Sequence, residues 1–268
     1  MIPGHSPPVL NAFSRILILH GLMSVSFDMQ WRDHFMLGIA TPDGPTKDWR
    51  EMMSAAYNCW KARLDTSLIN SKYPDSQLLR SSISMYAIAH IVQGVDVHEL
   101  QIWAGAERAL GLAVAPAVVE ATKTRIFSWS STKEGRQATW HSAHFLRSTL
   151  LHRNQSPSDL SSCVHFNWSM YISTLTLYAY STSISGPPRP GRGRPTEEAM
   201  AYLDALCTQS PDILPQMDDL NGIAGLLHTI WELIKDSRWE IAEEGGRIIK
   251  AILDTIEEEN ADAMMMAP

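Results

Sequence analysis

GRQATWHSAHFLRSTLL, residues 135–151, is the stretch on which the reading of this chain turns. Trp140, Ala143, Leu146 and Leu150 recur at helical spacing, and Phe145 and Leu151 widen the apolar face. Gln137, His141, His144, Ser148 and His152 form a second, polar stripe at steps of four, three, four and four. Just upstream, Ser131-Thr132-Lys133-Glu134 has the form of a capping box, with the Ser131 hydroxyl placed to accept from the Glu134 amide. A helix this apolar, carrying a row of imidazoles, belongs inside a helical domain.

The 268 residues are 45% hydrophobic, enough for one large core or two smaller ones. Only 19% are charged, against about a quarter in an ordinary domain. The net charge of −7 argues against whole-surface attraction to a phosphate backbone. Cys59, Cys163 and Cys207 are odd in number and far apart, which fits reduced thiols and neither a disulfide framework nor a zinc site. The start, MIPGHSPPVLN, lacks the basic opening of a signal peptide. Residues 164–184 carry no Asp, Glu, Lys or Arg, yet nine of the 21 are polar, so a buried central helix is expected there rather than a membrane span.

Working outward, the same periodicity predicts helices over most of the chain. Residues 9–27 are apolar on nearly every face, which implies burial all round, or an open apolar patch if neighbouring helices are missing. A loop at Thr41-Pro42-Asp43-Gly44-Pro45 precedes a helix to about Leu68, with Asp48 and Glu51 in its acidic first turn. Trp49, Met52, Met53, Ala56, Trp60 and Leu64 form its expected core face. A helix capped by Gly94 follows, then one from the Asp96 cap to about Gly111, then one over about 117–129. Beyond the central helix, SGPPRPGRGRP at 185–195 reads as a surface loop. Thr196 is expected to cap a helix to Leu206, residues 221–234 form another, and Ser237-Arg238-Trp239-Glu240 is a further capping box. Period-two strand patterning is essentially absent. The expectation is an all-α fold, a single irregular domain of roughly nine or ten helices over residues 1–256. An acidic, Met-rich disordered tail over 257–268 is expected to follow.

Four groups of residues invite a chemical reading. His141 and His144, at i and i+3, can bring two imidazoles to one metal, but a structural site needs a third and fourth ligand. Hydrogen-bonded histidines at a helix–helix contact are the plainer reading. Asp218-Asp219 resembles half of a magnesium site, but Leu220, Asn221 and Gly222 follow where a further carboxylate is needed. Arg192-Gly193-Arg194-Pro195 resembles the core of an AT-hook, in which arginines enter a narrow minor groove, and Arg189 adds a charge. A solvated loop is the plainer reading there. Glu257-Glu258-Glu259 with Met264-Met265-Met266 suits an acidic-hydrophobic segment or a frayed end. Neither a G-x-S-x-G elbow nor a phosphate-cradling glycine loop is present, and no catalytic, cofactor-binding or metal residue is assigned.

Taken together, five segments resemble the fungal-specific transcription factor domain, the helical middle region of fungal zinc-finger regulators. They are FSRILILHGLMSVSFDMQWRD (13–33), LQIWAGAERALGLAV (100–114), WSSTKEGRQATWHSAHFLR (129–147), WSMYISTLTLYAYS (168–181) and GIAGLLHTIWELIKDSRWEIAEEGGRIIKAIL (222–253). They follow the family's order and span most of the chain. The resemblance implies an all-helical regulatory domain in the nucleus, controlling RNA polymerase II transcription and carrying no catalytic residues. In the closer subgroup, paired two-cysteine two-histidine zinc fingers lie upstream. This sequence has no C-x-x-C and no C…H-x-x-x-H, so zinc and specific DNA contacts are expected only in a module absent from this chain. The implied partners are the transcriptional machinery or a related regulator, with a homodimer among the arrangements and no membrane. A truncated gene model, a stand-alone protein that sequesters or dimerises with a full-length regulator, and a helical enzyme of unknown chemistry are the alternatives. Any residual nucleic-acid contact is expected at Arg189, Arg192 and Arg194.

Overall fold

The computed structural model describes residues 10–36, 49–69, 77–109, 111–152, 164–189, 191, 193–212, 214 and 222–266. Among them are ten helices and one two-residue hairpin, so the chain is all-α. The chain falls into two compact units, Met1–Ala89 and His90–Pro268, where the sequence suggested one domain.

In the first unit, α1 (Ala12–Met36) packs on α2 (Trp49–Ile69). Trp49, Met53, Tyr57, Trp60 and Leu64 line the inner face of α2, and Leu19 meets them from α1. The expected face is thereby corrected: Met52 is 53% exposed, and Tyr57, fully buried, takes the inward position. Spacings of four, four, three and four keep these five side chains on one stripe. Met85 and Ala89 join the same core from the first part of α3 (Gln77–Gly94). Two bonds fix the helix pair: the Trp60 indole N–H donates to the Arg15 carbonyl at 2.8 Å, and the Arg15 guanidinium to the Arg63 carbonyl at 3.2 Å. The loop expected at 41–45 and the residue Asp48 lie outside the described residues.

The second unit is built around α7 (Val164–Ser185), which contacts α4 (Val97–Trp103), α5 (Pro116–Ser130), α6 (Lys133–Leu151), α9 (Ile223–Ile234) and α10 (Glu240–Met266). Ile172, Leu175, Leu177 and Ala179 are fully buried, and so are Ser169, Ser173, Thr174 and Thr176. Three of these four hydroxyls bond their own helix, and the Ser173 hydroxyl has no hydrogen-bond partner among the described residues. Ser169 donates to the His165 carbonyl at 2.6 Å, Thr174 to Met170 at 2.8 Å and Thr176 to Ile172 at 2.9 Å. A buried polar group with a partner avoids most of its desolvation cost. No described helix is long and apolar enough to cross a membrane.

Several helix ends differ from their sequence expectation, each for a local reason. α4 stops at Trp103 rather than near Gly111, because Gly105 takes a left-handed φ of 87° and ends it. The chain then turns through the hairpin of β1 (Arg108–Ala109) and β2 (Leu112–Ala113), antiparallel in the register Arg108 to Ala113 and Ala109 to Leu112. α6 is capped by Thr132, whose hydroxyl accepts from the Gly135 amide at 3.0 Å, while Ser131 closes α5. α8 (Pro195–Cys207) begins on its proline, so Thr196 lies inside the first turn. α10 continues through Met266 where a disordered tail was expected. Glu257-Glu258-Glu259 and Ala261 are good helix formers, and nothing in that stretch breaks the ladder.

α8 and α9 approach closely. A Cβ on Gly225 would stand 2.8 Å from the Glu198 Cβ and from the Pro195 carbonyl, and one on Gly222 only 2.6 Å from the Tyr202 Cβ. Glycine at these positions is a condition of the contact.

Candidate functional site

The histidine stripe of α6 is completed from a distance. His90, near the end of α3, lays its ring on that of His141 with centroids 4.0 Å apart and 8° between planes. Trp140 meets the same cluster, edge-on to His141 at 5.0 Å and tilted over His144 at 3.9 Å. Burial pushes His90 down to about 4. It also holds His141 well below the usual histidine range, helped by its neighbours His90 and His144. His144 is lowered by burial and then by Arg147, which is itself ion-paired to Asp204 of α8. The imidazoles are therefore neutral at physiological pH.

A neutral imidazole binds a metal through an in-plane lone pair. Rings stacked face to face direct those lone pairs along parallel planes, not toward one ion. No group of three or more His, Cys, Asp or Glu able to hold a metal occurs among the described residues. His141 thus lies in a helix–helix contact with His90, a partner whose place follows only from the packing of α3. His152 stands apart at the end of α6, its ring 2.7 Å from the Ser148 carbonyl.

The basic loop is drawn onto the start of α8. Arg189 and Arg194 are exposed, and Arg192 lies outside the described residues. The Gly193 amide donates to the Glu198 carboxylate at 2.6 Å, and a Cβ on Gly191 would collide with that same carboxylate. Arg194 reaches Glu197 at 3.4 Å. Two glutamates in the first turn of α8 complement its dipole and oppose the charge of the loop. The loop therefore presents less net positive charge than its arginines alone suggest. Asp218 and Asp219 lie outside the described residues, and Glu257, Glu258 and Glu259 are exposed on α10.

Tyr180, Tyr202, Leu206 and Leu214 line a shallow groove between α7 and α8. Its polar atoms are turned inward: Tyr202 bonds Ser181, and burial raises both tyrosine hydroxyls, Tyr180 to about 12.

No protein-family model matches the chain, and no solved structure resembles it at a significant level. Three curated proteins do. It is 28% identical over 262 residues to the nicotinate catabolism cluster-specific transcription factor of Emericella nidulans, covering 91% of this chain and 29% of that protein. It is 21% identical over 257 residues to zinc finger protein klf1 of Schizosaccharomyces pombe, covering 93% of this chain and 32% of the relative. It is also 21% identical over 259 residues to zinc finger protein zas1 of the same yeast, covering 92% and 28%. The chain thus spans about three tenths of the length of the curated relatives it matches. Over nine tenths of its own length it is similar to one fungal transcription factor and to two fungal zinc finger proteins.

Proposed function

We propose that this chain is the helical regulatory region of a nuclear fungal transcription regulator, acting through protein contacts while another module supplies specific DNA binding. The observation that carries the reading is the coverage. The likeness runs through 91% of the chain but reaches only 29% of the nicotinate-cluster factor. The sequence contains no zinc-finger spacing, and its basic loop is opposed by Glu197 and Glu198. The regulatory partners are the transcriptional machinery or a related regulator.

A tethering assay tests this. The chain, fused to an unrelated DNA-binding domain, should raise or lower a reporter relative to that domain alone. Reporter output identical to the bare domain, on both weak and strong promoters, counts against a regulatory role. In solution, the unfused chain should bind duplex DNA weakly and without sequence preference. Few neutralised phosphates give a shallow log–log salt slope, about −0.9 per phosphate contacted. Tight, A·T-selective binding abolished by alanine at Arg189, Arg192 and Arg194 would instead assign DNA contact to the loop.

A further inference from the structure

α1 carries a largely apolar stripe on the side away from α2. Phe13, Leu17, His20, Ser24, Phe27 and Trp31 follow at steps of four, three, four, three and four, and all six are exposed. Phe13 is 60%, Leu17 54%, Phe27 58% and Trp31 52% exposed, although the helix is packed on its opposite face. Alternating steps of three and four keep a seam straight along a second helix, the pattern of a coiled-coil interface.

We propose that this stripe is a dimer interface, in which α1 of one copy lies antiparallel to α1 of a second copy. Three observations select a second copy. First, the stripe is complementary to its own reverse: Phe13 meets Trp31, Leu17 meets Phe27, and His20 meets Ser24, each pair summing to 44. A two-fold interface requires this self-complementarity. Aromatic pairs fall at both ends, where each adds to area burial. The two polar residues fall together at the centre, an imidazole opposite a hydroxyl, able to hydrogen-bond across the seam. A polar pair inside an apolar seam fixes its register, because any slip leaves the pair unmatched.

Second, Gly21 sits beside the midpoint of the stripe. Its position costs helix stability of roughly 1 kcal/mol against alanine. Within its own chain a Cβ there would meet nothing within 4 Å, so intramolecular packing does not account for the glycine. A second helix crossing at the midpoint does, since a missing side chain lets backbones approach.

Third, the area suffices for a reversible dimer. Each of the four large side chains, about half open, can surrender roughly 100 Å². His20 and Ser24 add about as much again between them. The pair of copies then buries about 1,000 Å², the lower limit for a specific interface and the size of a weak one. The stripe contains no Asp, Glu, Lys or Arg, so a charged peptide gains nothing there.

The test is sedimentation of the full chain from about 1 to 100 μM. A concentration-dependent dimer is expected, and Leu17→Glu with Phe27→Glu should leave a monomer with unchanged helical circular dichroism. A wild-type monomer throughout this range overturns the proposal, and so does a dimer that the double variant leaves intact. Should the double variant misfold, Gly21→Leu decides. It enters open space and favours helix, so it should fold, yet it should weaken the dimer about tenfold or more by holding the helices apart. An unchanged dimer in Gly21→Leu overturns the proposal. Orientation is read with Cys59, Cys163 and Cys207 replaced by serine. Mixing Leu17→Cys and Phe27→Cys proteins should give the mixed cross-link, with neither protein linking to itself. Self-linking of Leu17→Cys overturns the antiparallel order.

Discussion

Two long helices of this chain look alike in composition and meet opposite fates. α1 has 25 residues, α7 has 22, and both are predominantly apolar. α7 is enclosed by α4, α5, α6, α9 and α10, and it buries even its serines and threonines. α1 packs on α2 along one face and leaves Phe13, Leu17, Phe27 and Trp31 exposed. Apolar character states that a surface is costly to leave in water. It does not state what will cover it. In the enclosed helix Ser169, Thr174 and Thr176 bond carbonyls one turn back, whereas the buried Ser26 of the open helix bonds Tyr57 of α2.

The largest expected effect lies at the enclosed helix. Leu175→Ala should destabilise the second unit by about 3–4 kcal/mol in urea unfolding, the transfer cost plus that of a cavity the crowded site cannot close. A loss below about 1 kcal/mol would mean that α7 is not enclosed as described.

Next comes acid sensitivity, which should belong to the second unit. His90 and His141 are held below their unfolded value of about 6.5, so the folded state resists protonation. Their contribution is full above about pH 6.5 and is lost as pH falls, because the unfolded chain takes up protons first. For His90 alone the loss down to about 4 is about 3 kcal/mol. His90→Phe, which keeps a flat ring on His141, should flatten the stability profile between these values. A profile identical to wild type would show that the stacked pair is not the acid-sensitive element.

The comparison sharpens between adjacent residues of α2. Met53→Ala should cost about 2–3 kcal/mol, while Met52→Ala, a change at a 53% exposed side chain, should stay within about 0.5 kcal/mol. Equal losses would mean that the helix is rotated from its described face. At the small end, Thr132→Ala should cost about 1 kcal/mol by removing the cap of α6, with Ser131→Ala near zero. The reverse ranking would restore the cap first read from the sequence.

Near neighbours in sequence determined much of this protein. The 3.6-residue period marked α2 and α6, Pro116 and Pro195 stand where a proline starts a helix, and Ser169, Thr174 and Thr176 of α7 bond carbonyls four residues away. These are local energies, readable from local sequence. Helix ends were less legible, because Thr132 or Ser131 could equally cap α6, and the close approach of α5 decides between them. The candidate site was legible only in half: the His141 and His144 stripe shows in the spacing, but nothing near it announces His90. Tertiary structure alone stacked His90 on His141, turned Tyr57 inward in place of Met52, and left one side of α1 open. Periodicity reports which side chains share a face. Which faces meet depends on how segments far apart in the chain pack together, and burial, charge state and interface all follow from that choice.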